Sequence, residues 1–235
     1  MIYVTSDLHG CPLSDLQQLL EKAAFCEDDF LFVLGDVIDR GDHGIELLCW
    51  MSLQPNVQLI LGNHEALLLG CSFLFDTVTE QSVAALNMEH MEMFQTWMLN
   101  GGNPTVTGLR MLKKKDPDAV EGILDYLREA PLYEEICTDK EQFLLVHAGL
   151  GNFDPSRPVN SYTAEELLWA RPSLNDRYFA DKTVIFGHTP SHYFGSEYRG
   201  RAVKTDTWMC IDTGAAGGGS PMLYCLDNQK EYYLT

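Results

Sequence analysis

Acidic, amide and imidazole side chains recur in five short glycine-containing words. Asp7 and His9 lie in Asp7-Leu8-His9-Gly10, and Asp36 in Gly35-Asp36-Val37-Ile38-Asp39-Arg40-Gly41. Asn63 and His64 lie in Gly62-Asn63-His64-Glu65, His147 in His147-Ala148-Gly149, and His188 in Gly187-His188-Thr189-Pro190. Carboxylate, amide and imidazole groups are donors to divalent cations, and imidazole also moves protons near neutral pH. One Asp or His in a loop is ordinarily a cap or turn former. Five such words with flanking glycine make a shared site the better reading.

Such residues form a site only if the chain gathers them, and the pattern between the words says how. Apolar runs predict strands at Ile2 to Ser6, Phe30 to Leu34 and Val57 to Leu61, with helices at Leu13 to Phe25 and Gly44 to Met51 between them. Strand alternating with helix predicts a largely parallel sheet. From Glu65 to about Ala130 the chain reads as helical, broken at Asn100 to Pro104 and at Asp116-Pro117; we take about residues 66–130 as a helical insert in a single domain spanning 1–235. Further strands are expected at Leu132 to Cys137, Phe143 to Val146, Thr183 to Phe186, Trp208 to Ile211, Met222 to Leu226 and Glu231 to Leu234. Every candidate residue then falls just past the carboxyl end of a strand, the edge where open α/β sheets bind ligands.

Composition narrows the classes of function. A formal charge of −18 argues against a nucleic-acid partner, which needs a basic surface. The apolar runs are far shorter than the roughly 20 residues of a membrane span, and the first residues read as a strand rather than a leader, so a cytoplasmic protein without a membrane partner is expected. The seven cysteines include no C-x-x-C pair and read as reduced thiols; Cys11, directly after the first word, is the one whose oxidation could matter to the site. His43, His90 and His192 fall outside the words, and Lys113-Lys114-Lys115 reads as a solvated helix face.

In order and spacing the five words resemble the phosphoprotein phosphatase branch of the calcineurin-like metallophosphoesterases, over about residues 1–215. The resemblance implies an α/β/β/α sandwich of two mixed sheets flanked by helices, with a binuclear metal centre. Carried over position by position, it makes Asp7 and His9 ligands of one metal, Asn63, His147 and His188 ligands of the other, and Asp36 the bridge. Oxygen and imidazole donors without thiolate suit Mn, Fe or Zn, and two divalent ions, Mn²⁺ first among them, are the expected cofactors. Such a pair, about 4 Å apart, acidifies a water and clamps phosphate oxygens during in-line attack. By the same resemblance His64 is the general acid, Asp39 orients it, and Arg40 and Arg171 bind the phosphate. Residues 66–99 read either as a lid or as packing.

Two activities share these words. The third word has Glu after His where dinucleoside tetraphosphate hydrolases usually have Asp, and the fifth reads Gly187-His188-Thr189-Pro190 where that group tends to Gly-His-Trp-Ala. With Asn100-Gly101-Gly102 and Trp169-Ala170-Arg171, which resemble the bacterial and bacteriophage lambda-type branch, they favour a protein serine/threonine phosphatase acting on a phosphorylated protein or peptide. The alternative is a symmetrical bis(5'-nucleosyl)-tetraphosphatase. No Ser-Ala-Pro-Asn-Tyr loop is present, so no regulatory subunit is implied.

Overall fold

The computed structural model describes residues 1–77 and 79–234; position 78 of the expected insert lies outside them. Three parallel strands, β1 (Ile2–Thr5), β2 (Phe30–Val33) and β3 (Val57–Leu59), form one half of the first sheet. Helices α1 (Leu13–Lys22) and α2 (Gly44–Ser52) make the crossovers between them, since parallel neighbours cannot be joined by a tight turn. The antiparallel pair β9 (Met222–Cys225) and β10 (Glu231–Tyr233) completes this sheet in the order β10-β9-β1-β2-β3.

The second sheet runs β4 (Tyr133–Cys137), β5 (Gln142–Val146), β6 (Thr183–Phe186), β8 (Trp208–Cys210), β7 (Val203–Lys204). Within it β5, β6 and β8 are parallel and both outer strands are antiparallel. The two-residue β7 is too short for a periodicity to reveal it, and it was not among the expected strands. The other strands lie where the apolar runs place them, to within two residues at their ends.

Side chains alternate across each strand, and this alternation builds the layers. Val4, Phe32, Phe143, Leu145, Ile185, Met209, Met222 and Tyr224 point between the sheets into one apolar cluster. Their neighbours Tyr3, Leu31, Val33, Leu223 and Cys225 face the helices on the outside of the first sheet. Leu144, Val146, Val184, Phe186, Trp208 and Cys210 face out from the second sheet, onto α8 (Ala164–Leu168) and its flanking turns. The architecture is the expected one of two mixed sheets with helical cover.

The stretch after β3 is helical as expected: α3 (Asn63–Gly70), α4 (Glu80–Ala84), α5 (Met88–Leu99), α6 (Asn103–Lys115) and α7 (Pro117–Glu129). Asp116 stops α6 and caps α7 by accepting the amide of Ala119 at 3.1 Å. Trp97, Val106, Leu109, Val120, Ile123 and Leu127 pack into the same apolar cluster as the first sheet. Lys113 departs from the expected solvated face by donating to the carbonyls of Phe75 and Asp76. No helix among the described residues is long and apolar enough to cross a membrane.

Leu145 is fully buried between the sheets, with neighbours fixed on both sides. Its replacement by Ala is expected to lower unfolding free energy by about 2–5 kcal/mol, read from urea denaturation followed by circular dichroism.

Candidate metal centre and catalytic site

The carboxyl ends of six parallel strands, three from each sheet, meet at one edge. Asp7 follows β1, Asp36 follows β2, Asn63 and His64 follow β3, His147 follows β5, His188 follows β6, and Asp212 follows β8. The loops are laced together by backbone hydrogen bonds: the amides of Asp7, His9 and Gly10 donate to the carbonyls of Gly35, Asp36 and Val37 at 3.1, 2.8 and 2.8 Å. Nine described residues other than glycine have positive φ, and six of them are candidate site residues: Asp7, His9, Asp36, Asp39, Arg40 and His188. A left-handed backbone at an L-residue costs roughly 1–3 kcal/mol and persists only where the surroundings enforce it. Such a concentration at one edge marks a functional site.

Asp36 stands at the centre. Its Oδ2 lies 3.5 Å from His9 Nε2, and its Oδ1 lies 3.4 Å from His147 Nε2. Two groups of potential metal donors therefore share it: His9, Asp36 and His64 on one side, and Asp36, His147 and His188 on the other. Asp7 Oδ1 approaches His9 Nε2 at 3.9 Å, and Asn63 Oδ1 lies 2.9 Å from His147 Nε2. All six expected ligands, Asp7, His9, Asp36, Asn63, His147 and His188, are buried and converge.

The protonation pattern suits cations. His9 Nδ1 faces the Ile38 carbonyl at 3.1 Å and His147 Nδ1 faces that of Leu34 at 2.7 Å. Each Nδ1–H is thereby used, and each Nε2 turns a lone pair inward. His147 Nε2 then meets His188 Nδ1 at 3.2 Å and the Asn63 oxygen, a convergence of lone pairs that a cation relieves. Burial pushes the His9 imidazole down to about 3 and His188 to about 2, and lowers His147, so all three are neutral ligands at pH 7. Burial, then Asp212 and Asp36, push the Asp7 carboxyl well above its usual range. For Asp36 burial acts upward, but His147, His64 and His9 outweigh it and hold the carboxyl below its usual range. A buried carboxylate cluster of this kind is ionised only against positive charge. The donor set fits the two divalent ions that the sequence implies.

His64 faces this pair from the first turn of α3. Its Nδ1 donates to Asp39 Oδ2 at 2.6 Å, and its Nε2 points to the centre, 3.8 Å from Asp36 Oδ2. Burial disfavours the imidazolium, yet Asp36 and Asp39 more than offset it and raise His64 above its ordinary pKa. Asp39 is itself held by Trp97 Nε1 at 2.8 Å and Thr105 Oγ1 at 2.5 Å. Arg40 is exposed, with Nη2 3.2 Å from His64 Nε2 and its backbone amide on the Gly101 carbonyl at 2.9 Å. Arg171 reaches Thr189 Oγ1 at 3.4 Å, beside His188. The structure thus gathers His64, Asp39, Arg40 and Arg171 around the donors. His43 pairs with Glu46, and His90 stacks on Phe73, both away from it.

Three contributions were not legible in the words. Glu65 lies within the third word, yet its task is structural: Oε2 accepts the amides of Asp36 and Gly62 at 2.8 and 3.1 Å, and Oε1 those of Val37 and Ile38 at 2.9 and 3.3 Å. It clamps the Asp36 loop to the start of α3. Asp212 is buried near Asp7, accepts the Gly214 amide at 2.9 Å, and is pushed up to about 7, chiefly by burial. Its place after β8 is the signal that would have found it. Trp97 and Thr105 support Asp39 from 58 and 66 residues away, where no local pattern could announce them. Cys11 packs against the first-sheet core, and burial, with Asp15, pushes its thiol up to about 12, which leaves it poorly reactive. All seven cysteines are free thiols.

Two stacked mixed sheets with a carboxylate-imidazole centre at their common edge define a metallophosphoesterase. The calcineurin-like phosphoesterase (Metallophos) family profile matches residues 1–215, and the chain belongs to that family. A symmetrical bis(5'-nucleosyl)-tetraphosphatase of Buchnera aphidicola subsp. Baizongia pistaciae is 29% identical over 230 residues, covering 96% of this chain and 69% of its own length. One of Actinobacillus succinogenes is 32% identical over 151 residues, covering 63% of this chain and 44% of its own. The chain thus spans between less than half and about two thirds of these relatives. Among solved structures, one designated a diadenosine tetraphosphatase superposes with a TM-score of 0.63 at 17% identity, over 99% of this chain and 92% of that one. A protein serine/threonine phosphatase of Saccharomyces cerevisiae gives 0.57 at 16%, over 100% and 80%. At these identities the structures speak to the fold alone.

The curated relatives overturn the preference for a protein serine/threonine phosphatase with a phosphopeptide substrate. That preference rested on Glu65 and Thr189-Pro190 together with Asn100-Gly101-Gly102 and Trp169-Ala170-Arg171. Glu65 is fully buried on backbone amides, and Thr189, also buried, supports Arg171. Glu65 thus serves the loop backbone and Thr189 an arginine, and neither contact depends on what the phosphate is attached to.

Asp36→Asn exchanges the shared anionic oxygen for an amide. It is expected to lose at least one equivalent of bound Mn²⁺ by elemental analysis and calorimetric titration, together with most phosphoesterase activity, while circular dichroism stays that of the parent.

Proposed function

We propose that this chain hydrolyses dinucleoside tetraphosphates symmetrically, water adding at one of the two central phosphorus atoms so that two nucleoside diphosphates leave. The names of its relatives support this reading, and one structural observation carries it. Beside the His147–His188 side of the centre lies a cavity of about 440 Å³ lined by Asn152, Phe153, Arg171, Pro172, Arg177 and Tyr178. Arg171, which reaches Thr189 beside His188, and Arg177, whose Nη1 donates to the carbonyls of Leu174 and Asp176 at 3.0 and 2.9 Å, both line it. Arg40 and Arg171 suffice for a single phosphoryl group, whereas a polyphosphate has further oxygens for a third guanidinium to meet. The sequence, with its sixteen basic residues scattered along the chain, gave no hint of this pairing.

The six donors would hold the two ions, manganese first among the metals that suit them, which lower the pKa of a water and neutralise phosphate oxygens. The protein supplies the rest. Arg40 and Arg171 flank the centre from opposite groups of donors and orient the phosphoryl group between them. Asp39 fixes the His64 ring with one proton on Nδ1, and His64 presents Nε2 toward the departing oxygen. That oxygen belongs to a phosphate whose last ionisation is near 6, as in a phosphoester monoanion, far below that of an alkoxide. His64 is therefore asked for less here than a serine leaving group would ask. Its neighbours still favour the imidazolium, so a proton is at hand. The free thiols support a reducing, cytoplasmic setting.

With Mn²⁺ added, diadenosine tetraphosphate is expected to yield ADP as sole nucleotide product by anion-exchange chromatography. Its kcat/KM should exceed that for phosphoserine and phosphothreonine peptides. A higher kcat/KM on the peptides, or release of AMP and ATP, contradicts the proposal. Arg177→Gln is expected to raise KM for the tetraphosphate about tenfold. The same change should leave KM for p-nitrophenyl phosphate as it was, since that substrate does not reach Arg177.

A further inference from the structure

Trp169 is placed unlike most large apolar groups of this chain. Trp97 and Trp208 are completely buried, whereas Trp169 is 41% exposed. A single exposed apolar side chain is ordinary in itself; what sets this indole apart is its place, against His188 and on the wall of a hollow.

The ring is nevertheless held in place. Its edge meets the His188 ring with centroids 5.9 Å apart and planes at 85°. His188 in turn presents Nδ1 to the donor group of the centre. The backbone of Trp169 ends α8, its amide donating to Glu165 at 3.1 Å. That short helix is fixed from several sides. Thr163 and Glu166 form a capping box at its start, Arg157 makes two bonds to Glu166 at 2.8 and 2.7 Å, and the amides of Ala148 and Gly151 donate to the carbonyls of Leu167 and Glu166. The indole therefore stands on a rigid support that is hydrogen-bonded, through Leu167 and Ala148, to the loop that bears His147.

Trp169 also lines a hollow of about 490 Å³, within the size range of small-molecule sites, together with Asn152, Arg157, Thr163 and Glu165. The hollow shares Gly151, Asn152 and Ala170 with the arginine-lined cavity, so the two adjoin. One face is aromatic and the rim is polar, a pairing that suits a flat heteroaromatic ring with hydrogen-bonding edges. Two residues further on, the Arg171 guanidinium reaches Thr189 Oγ1, beside His188.

We infer that Trp169 is a stacking platform for a nucleobase of the substrate and sets the preference for nucleoside-bearing polyphosphates over bare ones. This rests on the dinucleotide reading above. Stacking is tolerant of base identity because every base offers a π face, so adenine and guanine dinucleotides should both use it. The interaction is made equally before and during bond cleavage, so its loss falls on KM rather than kcat.

The test compares the parent with Trp169→Ala and Trp169→Phe, both at an exposed position. Trp169→Ala should raise KM for diadenosine tetraphosphate roughly 10- to 100-fold, and Trp169→Phe should restore most of it. The inhibition constant of inorganic tetraphosphate, which has no base, should stay within about twofold in both. Addition of ADP to the parent should quench tryptophan fluorescence, and that quenching should vanish in Trp169→Ala. An unchanged KM, or equal weakening of the dinucleotide and the bare tetraphosphate, overturns the platform while leaving the activity intact. A parent that prefers phosphopeptides instead overturns the activity and the platform with it.

Discussion

The site depends on how closely two strand-end loops approach each other. Gly35, at the end of β2, has φ of 80°, and a Cβ there would collide with the backbone of Gly62 at the start of α3 and with the His147 ring. Gly187 lies just as close to the Asp7 carboxylate. These contacts let Asp36 turn one oxygen to each group of donors. Any larger side chain at either place would push apart segments that contribute to both. The glycines of the words are thus spacers for the donors beside them.

Close approach brings like charges together, and the protein meets that problem in layers. Asp7, Asp36 and Asp212 are buried near one another, with three neutral imidazoles and an amide facing them. Cations are the natural counterweight, yet the backbone is already held by other means. Glu65 takes four amides that the loop geometry would otherwise leave without partners, which keeps the Asp36 turn in its left-handed conformation. An orphaned buried amide costs about 1–3 kcal/mol, so a clamp of this kind outweighs part of the backbone strain.

The helical stretch after β3 serves the same end. Trp97 is fully buried and fixes Asp39, and Thr105 does so from the first turn of α6. The carbonyl of Gly101 holds the Arg40 backbone. Of the two readings given to residues 66–99, packing accounts for Leu67, Leu68, Phe75 and Trp97, whereas Val83, Met88, Met91 and Leu99 are exposed. A helical layer that looks like cover for a sheet is also the outer wall of the hydrogen-bonded pair His64 and Asp39.

The sequence by itself determined the strand pattern apart from the two-residue β7, the strand-end position of every donor and the family, because alternation and glycine spacing are local consequences of backbone geometry. It misjudged the substrate for an equally physical reason: Glu65 and Thr189 were compared as letters of a motif, and only the folded chain reveals that Glu65 clamps loop amides and Thr189 meets Arg171. Asp212 followed a strand like the others, but its proximity to Asp7 depends on two sheets stacking face to face. The neighbouring hollows that carry Arg177 and Trp169 were likewise beyond the reach of pattern, since each is assembled from segments some 20 residues apart whose side chains meet only in the tertiary structure.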